Sequence, residues 1–358
     1  MKFKGWKTST LMMLVGAGIL IACQVMPPDG GAQDGTGYGA AETILIPHES
    51  WPCGMAEGIP VPERGAAVFE ADLKLGKTYS VGETQYGRRD VFVVEGGTVS
   101  GGKIQGSMMP GGLDFQLSFS NGGMEIEQIF VLRTDDGTYI YMRSPGAAAD
   151  RNDVRMVPVF EAPSASGYSW LNTGKYAGRR IVDPEAGTMK IRVFDVSGLD
   201  ATPDPSASIR VAKPADVRYQ AWEYRKASAE EKRGDQLIRE NVTLGASQSV
   251  GATGRGNRNI IPITGGTVSG RIEGKVLAAG ADYQNLANPA TIDARYLWQT
   301  NEGDVIIVRN GGSFGSLVPT FEVRLDSTYA WLNEGLYLSS DPGMGSGGVT
   351  LTFYESGR

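Results

Sequence analysis

The residues best equipped for chemistry in this chain are carboxylates, guanidinium groups and aromatics. Asp293 and Arg295 stand two apart in "TIDARYLWQT", so on a strand they share one face. Tyr296 follows them directly, and Arg309 in "VIIVRN" falls on the partner strand of the same predicted hairpin. Asp282 and Tyr283, in "GADYQNL", belong to the preceding strand, while Trp331 and Asn333, in "YAWLN", arrive from a later segment. If their common face is a barrel interior, they build an aromatic-walled pocket with a few convergent polar groups, the usual form of a small-molecule site. Burial there would raise a carboxyl's pKa toward acid–base use, and an adjacent Arg would pull it back down. An Arg would alternatively grip a ligand carboxylate or enolate oxygen with its two-pronged fork. Plainer readings stand beside these: an Asp–Arg pair that only satisfies itself, a Trp-Leu-Asn corner that is packing plus a turn, and an Asp282 that caps a turn after Gly280-Ala281.

Other chemistries are set aside by the sequence. His48 is the single histidine and precedes the regular elements, so a His-dependent triad or a His-rich zinc site is unavailable. Neither a phosphate-cradling G-x-x-x-x-G-K-[ST] loop nor a dinucleotide fingerprint is present; "GTGYGA" and "GATGRG" miss the spacing. "GYSWL" lacks the final glycine of a nucleophile elbow. No metal and no cofactor are expected. A net charge of −6 argues against nucleic acid, which needs clustered Lys and Arg.

The elements that must hold these residues repeat. "GGTVSG" occurs at 96–101 and again at 265–270, an offset of 169. Asp114 matches Asp282 at an offset of 168, Arg143 matches Arg309 at 166, and Trp170 and Asn172 match Trp331 and Asn333 at 161. Four motifs in one order with a steadily drifting offset define two copies of one domain, 67–197 and 239–356. In the first copy Glu127 and Ile129 stand where the second has Asp293 and Arg295. The second copy is therefore the better candidate for a site.

Fifty glycines, set mainly beside β-branched runs, point to many turns between short strands. Polar "TDDG" and "NEGD" turns between apolar runs are hairpin signals, and "MKIRVFDV" and "GVTLTFYE" alternate with period two. Seven or so strands per copy predict an all-β chain of two tandem antiparallel barrels. Between them, residues 198–238 read as a linker with one helix, its Tyr219, Trp222 and Tyr224 docking on a barrel.

The start of the chain reads as an address. Lys2, Lys4 and Lys7 precede an apolar run over 11–22, too short to span a bilayer but of signal-peptide form. It ends in Leu20-Ile21-Ala22-Cys23, which looks like a bacterial lipobox, making 1–22 a lipoprotein signal peptide and Cys23 the lipidated residue. Diacylglycerol plus an N-acyl chain supplies the multiple chains that stable anchoring requires. Gln24 after the cysteine favours the outer membrane, facing the periplasm, and residues 23–66, rich in Gly and Pro, read as a flexible tether. Cys53 is then left without an intramolecular partner and reads as an incidental thiol.

"NIIPITGGTVSGRIEGKVLAAGADYQ", "IDARYLWQTNEGDVIIVRN" and "YAWLN" resemble the DUF3237 family, also called UPF0311, over about 250 residues of both copies. The resemblance implies a compact β-barrel similar to the lipocalin or allene-oxide-cyclase type, and no settled activity. Three functions follow from these readings. The first is an anchored barrel binding a small, partly apolar organic molecule in its second copy. The second is a cofactor-free lyase or isomerase with Asp293 as acid or base and Arg309 or Arg295 steadying an oxyanion. The third is a structural envelope protein for a protein partner. A raised Asp282 or Asp293 pKa in a closed pocket favours the enzyme, a deep cavity without a perturbed acid favours the binder, and filled barrels with an exposed apolar patch favour the interaction protein.

Overall fold

Short alternating segments joined by glycine turns leave the backbone one way to satisfy its polar groups, which is to pair with chain neighbours. A computed structural model describes residues 43–49, 51, 53–199, 204–214, 217, 225–345 and 347–357. In chain order the strands are β1 (Ile44–Ile46), then β2 (Ala66–Thr84), β3 (Gly87–Ser100), β4 (Gly106–Met108), β5 (Leu113–Ser118), β6 (Met124–Thr134), β7 (Tyr139–Ala148), β8 (Val154–Met156), β9 (Val159–Glu161), β10 (Tyr176–Asp183) and β11 (Thr188–Asp195). After β12 (Ser208–Arg210) come β13 (Lys232–Leu244), β14 (Gln248–Thr253), β15 (Gly256–Gly270), β16 (Gly274–Asn285), β17 (Thr291–Thr300), β18 (Val305–Ser313), β19 (Ser316–Glu322), β20 (Tyr337–Ser339), β21 (Gly343–Gly345) and β22 (Gly348–Gly357).

In the first copy, antiparallel ladders run β2–β3–β5–β6–β7–β8–β10–β11 and return to β2, closing a barrel. Its interior is filled by large side chains, among them Phe92, Phe130, Met142, Met156 and Phe160. The second copy repeats the connectivity as β19–β18–β17–β16–β15–β13–β22–β20, but no ladder joins β20 to β19, although the two lie alongside one another. β10 has eight residues where β20 has three. Pro342 stands in the register where β10 continues, and proline cannot donate to a ladder. The chain beyond Ser340 leaves the wall and folds back as β21 onto β22. The expected pair of barrels is present, one closed and one open along a single seam.

The repeated "GGTVSG" marks the same bend in both copies. Gly96 and Gly265 adopt φ of 125° and 139°, a region that favours glycine, beside register shifts at Lys74/Leu75 and Thr243/Leu244. A Cβ on Gly97 or Gly266 would collide with the backbone carbonyl of Asp72 or Asn241 on the neighbouring strand.

The outer walls of the barrels face each other and share an apolar cluster that includes Val91, Phe115, Tyr141, Tyr283, Leu297 and Ile307. Contacts across it are reciprocal. Arg89 of the first copy pairs with Glu322 of the second at 2.9 Å, and its counterpart Arg258 pairs with Glu161 at 2.6 Å. Leu325 N donates to Glu83 O, and equivalently Ser164 N donates to Ala252 O, both at 2.8 Å. When residue i meets j and the copy of j meets the copy of i, the interface is that of a two-fold dimer fused into one chain.

Two expectations for the flanking segments need correction. The tether expected over 23–66 is packed from Thr43 onward: β1 pairs parallel with β12, and Leu45, Trp51 and Ile59 are buried against the first barrel. Trp51 Nε1 donates to Gly146 O at 2.7 Å, and Arg155 Nη1 donates to Thr43 O at 2.6 Å and Ile59 O at 2.9 Å. The linker expected over 198–238 ends earlier, because the charged run from Lys232 joins β13 instead of a helix: alternate side chains from Ile238 to Leu244 face the second core. Cys23 and the aromatics Tyr219, Trp222 and Tyr224 lie outside the described residues.

Candidate functional site

The site follows from strand register. Asp282 on β16 sits directly opposite Ala294 on β17, and opposed residues share a face. Asp282, Ala294 and Tyr296 therefore point into the second barrel, while Tyr283, Asp293 and Arg295 point out. The inward set lines a cavity of about 540 Å³ open at the seam left by the short β20. Val242, Ile263, Ile292, Leu317, Val349 and Leu351 make its walls apolar, and Gln284 and Asn310 add polar groups. Phe314 and Met344 stand at the mouth, 53% and 91% exposed.

Asp282 is the site's charged residue. Gln284 Nε2 donates to its Oδ2 at 2.8 Å, whereas its Oδ1 is buried and accepts no hydrogen bond. Burial pushes this carboxyl up to about 6; the Gln284 bond pulls it down, and the charge of Asp293 behind the sheet adds to the rise. Asn310 has a similar shortage. Ser339 Oγ donates to Ser340 O at 2.8 Å and so must accept from Asn310 Nδ2 at 3.0 Å, which leaves Asn310 Oδ1 buried without a donor.

The first barrel shows what is missing. At the matching position Asp114 is fully buried and gripped by Arg180, with Nε to Oδ2 at 2.8 Å and Nη2 to Oδ1 at 3.1 Å. Arg180 Nη1 also donates to Gln116 Oε1 at 3.0 Å, and Gln128 Nε2 donates to Asp114 Oδ2 at 2.6 Å. In the second copy the Arg180 position is Asp341, which turns away to accept from Gly315 N at 2.6 Å. Ala294 replaces Gln128 and Ile261 replaces Phe92. The space vacated by the arginine arm, the amide and the ring belongs to the cavity.

Beneath the cavity lies a second acid that sequence reading missed. Glu240 is fully buried, accepting from Tyr296 Oη at 2.6 Å and Trp298 Nε1 at 2.8 Å. Burial raises it to about 7 against the pull of those two bonds. The repeat itself held the signal: the matching residues of the first copy are Ala71, Phe130 and Leu132, all apolar.

The expected catalytic cluster is elsewhere. Asp293, Arg295 and Arg309 lie at the interface between the barrels instead of in the interior. Arg309 Nε donates to Asp293 Oδ1 at 2.8 Å, and Arg295 Nη1 crosses to Glu127 Oε2 of the first copy at 2.7 Å, where Arg143 also pairs with Glu127. Burial disfavours the Asp293 charge, but Arg295 and Arg309 outweigh it and hold the carboxyl well below its usual range. A carboxylate so held neither takes nor gives protons near neutral pH. Tyr283 packs its ring 5.6 Å from Tyr141 in the same interface. Trp331 and Asn333 close one end of the barrel: Asn333 clamps the backbone of Val323 through both amide atoms, at 3.0 and 2.9 Å. Asn172 grips Ala162 identically at 2.8 and 3.0 Å, and Trp170 and Trp331 carry Lys103 and Arg271 over their rings. Of the residues expected in the pocket, Asp282 and Tyr296 line it. Cys53 is buried and its thiol pushed up to about 11 by burial. Among the described residues no cluster of metal-ligating side chains occurs.

Fold and cavity together define a class: a tandem antiparallel β-barrel with one interior packed solid and the other hollow. A family model described as "Protein of unknown function (DUF3237)" matches residues 65–196 and 235–316, and the chain belongs to this family. A UPF0311 protein of Bradyrhizobium diazoefficiens is 35% identical over 121 residues, covering 27% of this chain and 79% of the relative. A UPF0311 protein of Rhodopseudomonas palustris is 35% identical over 79 residues, which is 22% of this chain and 52% of that relative. Among solved structures, a conserved protein of unknown function from Rhodopseudomonas palustris is 28% identical, with 36% of this chain and 95% of that chain covered and a TM-score of 0.33. A beta-barrel like protein from Acinetobacter baumannii is 22% identical, covering 37% of this chain and 94% of that chain, with a TM-score of 0.33.

Proposed function

We propose that this protein binds a small, partly apolar organic molecule in its second barrel, with Asp282 as the polar anchor, while the first barrel and the interface between the two serve as scaffold. One observation carries the reading: the carboxylate that Arg180 neutralises in the filled barrel recurs as Asp282, with no cationic partner and with its Oδ1 unbonded, in a cavity of about 540 Å³. A buried carboxylate oxygen lacking a donor is costly unless something supplies one, and pockets of that size and lining suit small ligands. In this reading lipid on Cys23 anchors the protein to a bacterial envelope membrane, the outer membrane for preference, with the barrels in the periplasm. Native mass spectrometry of the full chain, released from detergent, tests it by detecting a co-purifying molecule. No bound molecule, together with no thermal shift across a metabolite panel, would overturn it.

A second reading, proton transfer by Asp282, is favoured by a pKa near 6. It is the weaker of the two, because no cationic group among the described lining residues is there to steady an oxyanion. Tyr296 Oη serves Glu240, and Gln284 Nε2 and Asn310 Nδ2 each give one N–H to Asp282 and Ser339, leaving a neutral second N–H apiece.

A further inference from the structure

The chain carries its own template for what the cavity holds. Asp-x-Gln is kept in both copies, as Asp114 with Gln116 and Asp282 with Gln284, yet the guanidinium that joins the first pair is absent from the second. We propose that the occupant of the second barrel is an organic cation, an amidinium, guanidinium or ammonium on an apolar body, whose head sits beside Asp282 and Gln284 as the Arg180 head sits beside Asp114 and Gln116. This rests on the binding reading above and names its ligand class.

Four observations support it. First, the amide donor to the carboxylate is preserved by a change of residue: Gln128 gives it to Asp114, and with Ala294 in that place Gln284 gives it to Asp282. The second site thus keeps a carboxylate with one amide donor and lacks the cation, together with the Phe92 ring over which the Arg180 guanidinium lies in the first copy. Second, the unpaired buried atoms at the cavity, Asp282 Oδ1 and Asn310 Oδ1, are both acceptors, so they call for a ligand that donates hydrogen bonds. Third, among the described residues no lysine or arginine lines the cavity, and the residue at the Arg180 position is itself an acid, Asp341. A carboxylate ligand would enter an apolar space opposite an anion with nothing to balance it. Fourth, the arginine arm is rooted on β10, and in the second copy the matching stretch of wall is the open seam flanked by Leu317, Phe314 and Met344. An apolar body attached to the head would follow it.

The groups facing Asp282 set the pH dependence. They are Gln284 on its own strand, Tyr296 and, from the far face, Asp293 on β17, Asn310 on β18, and Glu240 on β13 under Tyr296. Asp293 stays charged between its two arginines, but Glu240, raised to about 7 beneath Tyr296, titrates in the same range as Asp282, so Asp282→Asn isolates the carboxylate that holds the head. The test uses three isosteres, 4-butylbenzamidinium, 4-butylbenzamide and 4-butylbenzoate, titrated calorimetrically against the full chain in a nonionic detergent. At pH 7.5 the amidinium should bind about tenfold more tightly than the amide, as a charge-assisted bond exceeds a neutral one, and the benzoate should not bind. The preference should vanish in Asp282→Asn and weaken at pH 5, while Ala294→Phe, which fills the cavity, should abolish binding of both. Equal or tighter binding of the amide or benzoate would overturn the cation assignment and leave the pocket reading standing. Binding of none of the three, or binding that Ala294→Phe leaves intact, would overturn both.

Discussion

Asp114 and Asp282 occupy one position in two copies of one domain, and replacing each by asparagine should move stability in opposite directions. For Asp282 the carboxyl rises from 3.8 to about 6, roughly two units, which at about 1.4 kcal/mol per unit makes its ionised form ~3 kcal/mol costlier in the folded than in the unfolded chain. Because the folded value is the higher one, this group's contribution is intact below pH 3.8 and is lost as pH climbs through 6. Asp282→Asn cannot ionise, so it should match the wild type near pH 4 and exceed it by up to ~3 kcal/mol at pH 8. Asp114→Asn instead strands the buried Arg180 guanidinium, and breaking a buried pair costs about 3–5 kcal/mol. Urea unfolding followed by tryptophan fluorescence at pH 4, 6 and 8 reads both. Two variants that destabilise alike at pH 8 would refute the claim that one carboxylate is compensated and the other is not.

Glu240→Gln should likewise raise stability increasingly as pH climbs from 4.5 through 7, with the full gain kept above 7, since burial raises Glu240 from 4.5 to about 7; thermal melts from pH 5 to 9 would show a flatter profile than wild type. Asn333→Ala frees a backbone N–H and C=O of Val323 and should cost about 2 kcal/mol while leaving ligand affinity unchanged, which separates the clamp from the site in a single melt and titration. Cys53, buried with its thiol near 11, should resist a disulfide reagent at pH 8 until denaturant is added, as read by thiol titration. Arg295→Ala leaves Glu127 and Asp293 one guanidinium short at the barrel interface and should lower the unfolding midpoint without changing the specificity of the cavity.

Much of the architecture could be read from the letters because duplication writes each structural demand twice. The bend at Gly96 and Gly265, the hairpin turns ending at Gly137 and Gly303, and the Asn172 and Asn333 clamps recur as motifs since each serves a local backbone geometry. Faces were harder. Asp293 and Arg295 do share a side of their strand, but whether Asp282 joins them depends on the register of β16 against β17, which places it opposite Ala294. A charged cluster buried between two barrels looks, in sequence, like one buried inside a barrel. Differences between the copies were the better guide: Arg180 against Asp341, Gln128 against Ala294 and Ala71 against Glu240 mark where one interior was emptied and recharged. The charged run that enters β13 misled for another reason, since a charged strand edge and a solvated helix face share a composition.

The most direct test is a crystal structure of the protein grown with 4-butylbenzamidinium. The account predicts density for the amidinium within hydrogen-bonding distance of the Asp282 carboxylate, its butyl arm running out toward Phe314, and none within the first barrel. A second barrel packed as solidly as the first, or the probe lodged only between the barrels, would contradict it.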